Sequence, residues 1–364
     1  MAGSFQPAYM QIYADLRREI TSGVHPFGSR VPSRRTTAEN YNVSLITVSH
    51  AYDILVDEGF LVARQRSGYY VAYRAEDVLD QPETETPLQA LPAQSRSGEE
   101  LPFAAYARAM RNVLSRYGDA LMERCPTAGV PALRQAVADY LLATRSIRLS
   151  PEQVIIGSGA EYLYGLVVQL LGRDRVFALE DPSYPMIRQV YEAQGVTCQM
   201  LPMGRDGIRS SALKKCQATV LHVTPFHSFP SGITAGASKR QEYLRFARER
   251  NGYIVEDDFD SEFTASTKSE DTLFALDPLE RVLHVNTFSK TIAPSLRAGY
   301  MLLPRSMLDI FEARAGFYSC PVPVTEQYVI AELIRSGEFV RHINRVRRRR
   351  RKSGEKGRNM SDLV

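Results

Sequence analysis

Between positions 101 and 304 two kinds of apolar pattern alternate. Short runs dense in Val, Ile and Leu end in polar turns. Longer stretches carry apolar residues every three or four positions. The short runs predict strands in QVIIGSG (153–159), RVFALEDPSYP (175–185), ATVLHVTP (218–225), GYIVEDDF (252–259), RVLHVNTFSK (281–290) and GYMLLP (299–304). The helical period falls in ALRQAVADYLLATR (132–145), AEYLYGLVVQLLG (160–172) and ASKRQEYLRFARERN (237–251). Buried strands with helices between them imply an α/β unit with a mostly parallel sheet. In such sheets ligands sit at the carboxyl ends of the strands. The turns GSGAE, DPSYP, PFHSFPSG, EDDFDSEF and NTFSKT all fall at that edge.

The first 74 residues carry a different pattern. YMQIYADLRREITSG reads as an amphipathic helix ending at Gly23, and VPSRRTTAENY holds a second with Ser33 as N-cap. SLITVSHAYDILVDEG is a third, capped by Ser44 and closed by Gly59; FLVARQRSGYYVAY gives two short strands around Ser67-Gly68. Helix, helix–turn–helix and basic hairpin make a winged helix-turn-helix, an α+β unit whose third helix enters the major groove. Residues 75–100, rich in Pro, Glu, Gln and Ser, read as a flexible linker. The expected organisation is therefore 1–74, a linker over 75–100, a large domain over 101–345, and a disordered basic tail over 346–364.

Composition changes this picture in two places. The net charge of +4 comes from the end of the chain: positions 341–364 hold ten Lys/Arg against two acids, and the other 340 residues carry a net −4. The basic balance is thus no sign of whole-chain affinity for nucleic acid. Cys125, Cys198, Cys216 and Cys320 are scattered, without CxxC spacing or nearby His. They read as free thiols of a cytoplasmic protein, with no zinc site or other metal site. No run of eighteen apolar residues exists, so no membrane span is expected.

The first 74 residues resemble the GntR-type winged-helix family through VPSRR, VSLITVSHAYDILVDEGFLV and RSGYYV. The resemblance implies contacts to promoter DNA from Ser33 and Arg35, from Ser44, Ile46 and Thr47 at the groove, and from Arg64 and Arg66 in the wing. One departure is Leu45, where the family usually has an arginine.

Lys290 poses a sharper question. It lies in a polar turn between apolar runs, and a buried lysine is costly unless it is held there to react. Residues from about Leu101 to Arg345 resemble the fold-type I aminotransferases that bind pyridoxal 5'-phosphate. Such a cofactor needs an amine to attach it, an acid at its ring nitrogen, a flat partner for the ring and donors for its phosphate. The resemblance makes Lys290 the catalytic Schiff-base lysine and Tyr184 the stacking aromatic. Ser158, Gly159 and Ala160 at a helix N-terminus, with Thr287, Ser289 and Arg297, become the phosphate shell. Asp257 and Asp258 cannot be ranked by sequence physics; the family pattern favours Asp257 as the ring-nitrogen partner. His222 and His227 read as strand-end packing residues. Phe259 departs from related regulators, which often have a tyrosine there.

A GntR-type head joined to an aminotransferase-like body resembles the MocR (GabR-like) regulators over about 345 residues. That resemblance implies a PLP-bearing domain that senses a small amino compound or PLP itself, a homodimer, and a cytoplasmic, nucleoid-associated place of action. It also implies a small C-terminal domain carrying a substrate-binding arginine. No such domain is legible after EFVRHINRVRRRRRKSGEKGRNMSDLV, which counts against transamination. The competing expectations are an aminotransferase with an accessory DNA-binding head, and a DNA-binding module whose sensor domain no longer functions.

Overall fold

The structure, a computed structural model, describes residues 7–64, 67–74, 101–258, 261–263 and 271–353. The chain forms two compact units, Met1–Pro92 and Ala93–Val364. Arg66, Phe259 and the expected linker lie outside the described residues.

In the first unit three helices, α1 (Ala8–Thr21), α2 (Arg34–Tyr41) and α3 (Leu45–Asp57), precede a hairpin of β1 (Leu61–Arg64) and β2 (Gly68–Val71). Ser33 and Ser44 both act as N-caps: each side-chain oxygen accepts from a backbone N–H, of Thr36 and Thr47 respectively, at 3.2 Å. Between α2 and α3, Asn42 takes the left-handed conformation that lets the chain reverse (φ 51°). Ile12, Leu16, Ile20, Val48, Ala51, Tyr52 and Leu55 form the buried face of the helices. The hydroxyl of the buried Tyr52 donates to the Pro32 carbonyl at 2.8 Å, fixing the approach to α2.

The second unit runs α4 (Phe103–Tyr117), α5 (Pro131–Arg145), β3 (Val154–Gly157), α6 (Ala160–Leu171), β4 (Val176–Asp181), α7 (Pro185–Ala193), β5 (Thr197–Pro202), α8 (Ser210–Lys215), β6 (Val220–Val223), α9 (Ala237–Glu249), β7 (Tyr253–Asp257), α10 (Leu273–Leu276), β8 (Val282–Thr287), β9 (Gly299–Leu302), α11 (Leu308–Ala315), α12 (Val324–Arg335) and α13 (Glu338–Ser353). Among the described residues the strands form one seven-stranded sheet in the order β3-β9-β8-β7-β6-β4-β5. All pairings are parallel except those of β9, which is antiparallel to both neighbours. Successive strand residues serve opposite faces, as the pleat requires. Ile155, Val255 and Met301 pack with α6, α7 and α11, whereas Val154, Ile156 and Tyr300 pack with α5, α12 and α13. Ile254 and Leu221 face α9. Among the described residues no helix is long and apolar enough to cross a membrane.

Two features set the carboxyl edge of the sheet. Gly299, the first residue of β9, lies opposite Gly157 on one side and Thr287 on the other. A Cβ at Gly299 would stand 2.7 Å from the Asn286 carbonyl oxygen, so only glycine lets the three strands close at that point. At the end of β4, the buried Glu180 accepts from Ser228 Oγ at 2.6 Å and from the Thr224 N–H at 3.3 Å, tying the loop after β6 to the sheet. Burial pushes Glu180 up to about 8, against the opposing effect of those two donors.

The C-terminal expectation needs correction. The basic segment from position 346 is no disordered tail at its start, because α13 continues through 345 as far as Ser353; positions 354–364 lie outside the described residues. The cause is a stripe hidden among the arginines. Phe339, Ile343 and Val346 recur at helical spacing and are buried, and Phe339 packs edge-on against Tyr140 at 5.3 Å. Burying each such side chain is worth about 1.5–3 kcal/mol, enough to carry the helix onward. Arg341, Arg345, Arg348, Arg349 and Lys352 occupy the opposite, exposed face.

Two outcomes follow from this edge. Gly299→Ala will lower the urea midpoint of the full chain by the equivalent of about 1–3 kcal/mol, because the clash is with backbone. The raised Glu180 contributes stability that is present below its unfolded value of 4.5 and lost as pH rises to about 8. Glu180→Gln will therefore flatten the fall of stability across that window, read by urea unfolding at stepped pH.

Candidate functional site

The register at Gly299 brings two turns together. One follows β3 and opens α6; the other follows β8 and carries Lys290. Gly159, the N-cap of α6, has φ 92°, a conformation that favours glycine. A Cβ there would stand 3.1 Å from Arg297 Nη2. The guanidinium thus lies directly against the helix start, beside the backbone of Ser158, Gly159 and Ala160. Its present partner is the Glu161 carboxylate, in an ion pair whose members are 54% and 37% exposed. Helix start, glycine and arginine form a cup suited to a phosphate.

Lys290 sits in a turn pinned on both sides by buried apolar residues. Phe288 and Ile292 are 2% and 1% exposed, and the Ile292 N–H donates to the Phe288 carbonyl at 2.8 Å. The Phe288 N–H donates in turn to the Ala298 carbonyl at 2.8 Å, closing the loop that presents Arg297. Lys290, Ser289 and Thr287 are all half-buried, at the rim of the sheet. The structure thus gathers Thr287, Ser289, Lys290 and Arg297 with Ser158, Gly159 and Ala160 at one end of three adjacent strands.

Asp257 and Asp258, which sequence could not rank, part company here. Asp258 is committed away from the edge: Arg145 pairs with it at 3.3 Å, both side chains buried, and His284 Nε2 lies 3.8 Å away. Burial pushes Asp258 up to about 7, with Arg145 pulling in the opposite direction. Asp257 ends β7 and accepts a hydrogen bond from the Tyr164 hydroxyl of α6. Burial, then the charge of Asp257, raises the Tyr164 phenol well above its ordinary value, so it keeps its proton and donates. His222 Nε2 lies 3.6 Å from Asp257 Oδ2, and His222 Nδ1 is hydrogen-bonded to the Tyr191 hydroxyl at 2.8 Å.

Sequence reasoning misses this frame of Tyr164, Tyr191 and His222, and treats His222 as a packing residue. The available signal was its place on β6, beside the strand that ends in Asp257. Tyr184, the N-cap of α7, is half-buried, with the Phe229 ring edge-on at 6.2 Å. His227 takes a left-handed conformation (φ 52°) in the loop that Glu180 anchors. Deeper, Asn286 Nδ2 donates to Glu262 Oε1 at 2.7 Å, and the Glu262 carbonyl accepts from Arg347 Nε of α13.

In the first unit the positions implied for DNA lie around α2, α3 and the wing. Arg35, Ser44 and Ile46 are exposed, Ser33 and Thr47 lie at or beside the caps, and Ile46 is 82% exposed. Arg64 lies over the Tyr70 ring at 4.4 Å, and Ser67 hydrogen-bonds the same tyrosine at 2.7 Å, which stiffens the wing. Arg34 is used structurally, donating to Ser49 Oγ at 3.1 Å and lying over Tyr69.

Comparison with known proteins accounts for both units. Residues 8–71 match the model for bacterial regulatory proteins of the gntR family, and residues 96–357 match aminotransferase class I and II. An uncharacterized HTH-type transcriptional regulator, YdeL of Bacillus subtilis (strain 168), is 33% identical over 357 residues, spanning 95% of this chain and 77% of YdeL. The probable rhizopine catabolism regulatory protein MocR of Rhizobium meliloti is 28% identical, covering 94% of this chain and 74% of its own length. Among solved structures, LysN, an α-aminoadipate aminotransferase from Thermus thermophilus complexed with N-(5'-phosphopyridoxyl)-L-leucine, superposes with a TM-score of 0.61 at 27% identity. It matches 69% of this chain, which spans 65% of LysN. With a gntR-type head and an aminotransferase-type body in one chain, this protein belongs to the MocR/GabR-like family of HTH-type transcriptional regulators.

Proposed function

We propose that this chain is a transcription regulator whose larger unit binds pyridoxal 5'-phosphate through Lys290 and senses an amino compound, or the cofactor itself, while the winged helix holds promoter DNA. The observation that carries the reading is the convergence of Lys290, Asp257 and the Gly159–Arg297 cup at one sheet edge. The donor set fits the cofactor: an arginine against a glycine helix start for the phosphate, a framed carboxylate for the ring nitrogen, a primary amine between them.

When bound, the cofactor supplies an electron-withdrawing ring that stabilises negative charge at the carbon next to an attached amine. The protein's residues do the rest. Lys290, on its pinned turn, would supply the amine that holds the group. Asp257 holds a proton at the ring nitrogen, and the Tyr164 hydroxyl and His222 fix the carboxylate in place. Tyr184 would supply the flat partner for the ring. Ser158, Gly159 and Ala160 offer backbone N–H groups at the α6 start, joined by Thr287, Ser289 and Arg297. The Asp258–Arg145 pair is buried structure and takes no part. An amino compound competing with Lys290 for the aldehyde would release the lysine and change the turn that carries it, which is the signal we assign to sensing.

On the DNA side, Arg35 and the wing residues Arg64 and Arg66 contact the duplex. The exposed Leu45 and Ile46 at the start of α3 suit thymine methyl groups, where the related regulators place an arginine. The chain acts as a homodimer in the cytoplasm, at the nucleoid.

Two measurements test this. With added pyridoxal phosphate, the wild type will show a bound-cofactor absorption band that borohydride fixes covalently to the protein. Lys290→Ala will lose the covalent label, and Asp257→Asn will bind with the band shifted and its pH dependence altered. A wild-type chain that takes up no cofactor overturns the reading. Arg35→Ala will weaken duplex binding by about tenfold or more, equivalent to roughly 1–3 kcal/mol, with an unchanged far-ultraviolet spectrum. The same variant binding as tightly as wild type across salt concentrations would remove Arg35 from the interface.

A further inference from the structure

Two of the four scattered cysteines meet in the fold. Cys125 lies in the loop before α5, and Cys320 in the loop between α11 and α12. They share one donor. Gln327 of α12, fully buried, accepts from the Val130 N–H with Oε1 at 2.8 Å, which fixes the orientation of its amide. Its Nε2 then donates to the Val322 carbonyl at 2.8 Å, to Cys125 Sγ at 3.0 Å and to Cys320 Sγ at 3.5 Å. Cys125 is half-buried and open to a small oxidant; Cys320 is 8% exposed, and its thiol donates to the Ile156 carbonyl at 3.5 Å.

We propose that Cys125 and Cys320 form a reversible dithiol–disulfide site oxidised by hydrogen peroxide, with Cys125 as the attacking thiolate and Cys320 as the resolving thiol.

The geometry assigns the roles. Cys125 faces the amide donor and is half-buried, whereas Cys320 is enclosed, its single S–H within reach of both the Ile156 carbonyl and Cys125. The electrostatics agree. The Cys125 thiol is lowered to about 7, first by its hydrogen bond with Cys320 and then, against burial, by the Gln327 amide. Cys320 is raised, first by that same neighbour and then by burial. A low, reachable thiolate beside a second thiol is the arrangement that redox-sensitive cysteines share. The other two thiols lack it. Burial raises Cys198 to about 11. Cys216 is also raised by burial, and its thiol donates to Gln199.

The chemistry balances in two steps. Cys125 Sγ attacks one peroxide oxygen; the O–O bond breaks, hydroxide leaves and takes a proton to become water, and Cys125 is left as a sulfenic acid. Cys320 Sγ then attacks Cys125 Sγ; the S–O bond breaks, and the departing hydroxide leaves as water with the Cys320 proton. Two thiols lose two electrons and one peroxide becomes two waters. A dithiol reductant reverses the bond by exchange.

The site lies near the cup already described. Ile156, whose carbonyl Cys320 touches, is two residues before Ser158. A Cβ at Gly129 would stand 2.5 Å from the Ile156 side chain and 2.8 Å from Gln327 Oε1, so there is no slack between the two loops and β3. A bond between the sulfurs would join the loop before α5 to the loop before α12, beside the Ile156 end of β3.

The test uses the purified full-length chain, without cofactor. It is treated with equimolar hydrogen peroxide, its remaining thiols are alkylated, and its peptides are mapped by mass spectrometry with and without dithiothreitol. The expected result is a Cys125–Cys320 cross-linked peptide within one chain that disappears on reduction. Before oxidation, Cys125 should alkylate at least about tenfold faster than Cys198 at pH 7. In Cys320→Ser, Cys125 should stop at a sulfenic acid that dimedone traps, with no cross-link. The proposal is overturned if the wild type keeps both thiols alkylatable after peroxide, if Cys125 links only between two chains, or if Cys198 or Cys216 oxidises first.

Discussion

Strand β9 runs against both of its neighbours, and the close approach at its first residue depends on that residue having no side chain. At Gly299 the backbones of β3, β9 and β8 come into line, with the Asn286 carbonyl where a Cβ would be. The antiparallel insertion has a geometric result. β3 and β8 remain parallel to each other, so the turns at their carboxyl ends emerge on the same edge, one strand apart. The start of α6 and the Lys290 turn are thereby neighbours although more than a hundred residues separate them in the chain. Arg297 approaches from the loop that enters β9 and completes the cup from the third side. These residues are thus placed by a sheet register, and their side chains need little local help to converge.

Behind that edge lies a layer of buried polar groups that holds it rigid. Arg145 pairs with Asp258, Asn286 binds Glu262, and α13 reaches in through Arg347. Buried ion pairs give little net stability, because desolvation offsets their attraction. They do discriminate strongly against misplaced partners. Here they give two adjacent carboxylates different partners. Asp258 is occupied by an arginine from α5, and Asp257 is framed by Tyr164 and His222, so the two acids at the end of one strand have different surroundings and different chemistry.

Sequence pattern makes visible what depends on local periodicity. The six strands read from apolar runs all exist, and so do the caps at Ser33 and Ser44, because each rests on a few consecutive residues. Strand β5 escapes such a reading: it is an edge strand, largely half-exposed, and its Cys198, Gln199 and Met200 give no dense apolar run. The extension of α13 escapes it because eight cations between positions 341 and 352 mask a three-residue apolar stripe. The Gln327 amide bridging Cys125 and Cys320 cannot be found from spacing, since the two sulfurs are brought together only by the packing of α12 against α4 and α5. Asp257 and Asp258 are inseparable in sequence for the same reason: what distinguishes them is a partner from another element.

The exposed face of α13 has a consequence for how this protein responds to its solvent. Arg341, Arg345, Arg348, Arg349 and Lys352 line one side of a single helix, so neighbouring cations repel along about three turns. The helix dipole favours positive charge only in the last turn. Added salt screens the repulsion and firms the end of the larger unit. On the winged helix the same salt weakens the domain's attraction for the phosphates of DNA. Ionic strength therefore acts with opposite sign on the two halves of one chain: the conditions that loosen its hold on DNA are those that consolidate its body.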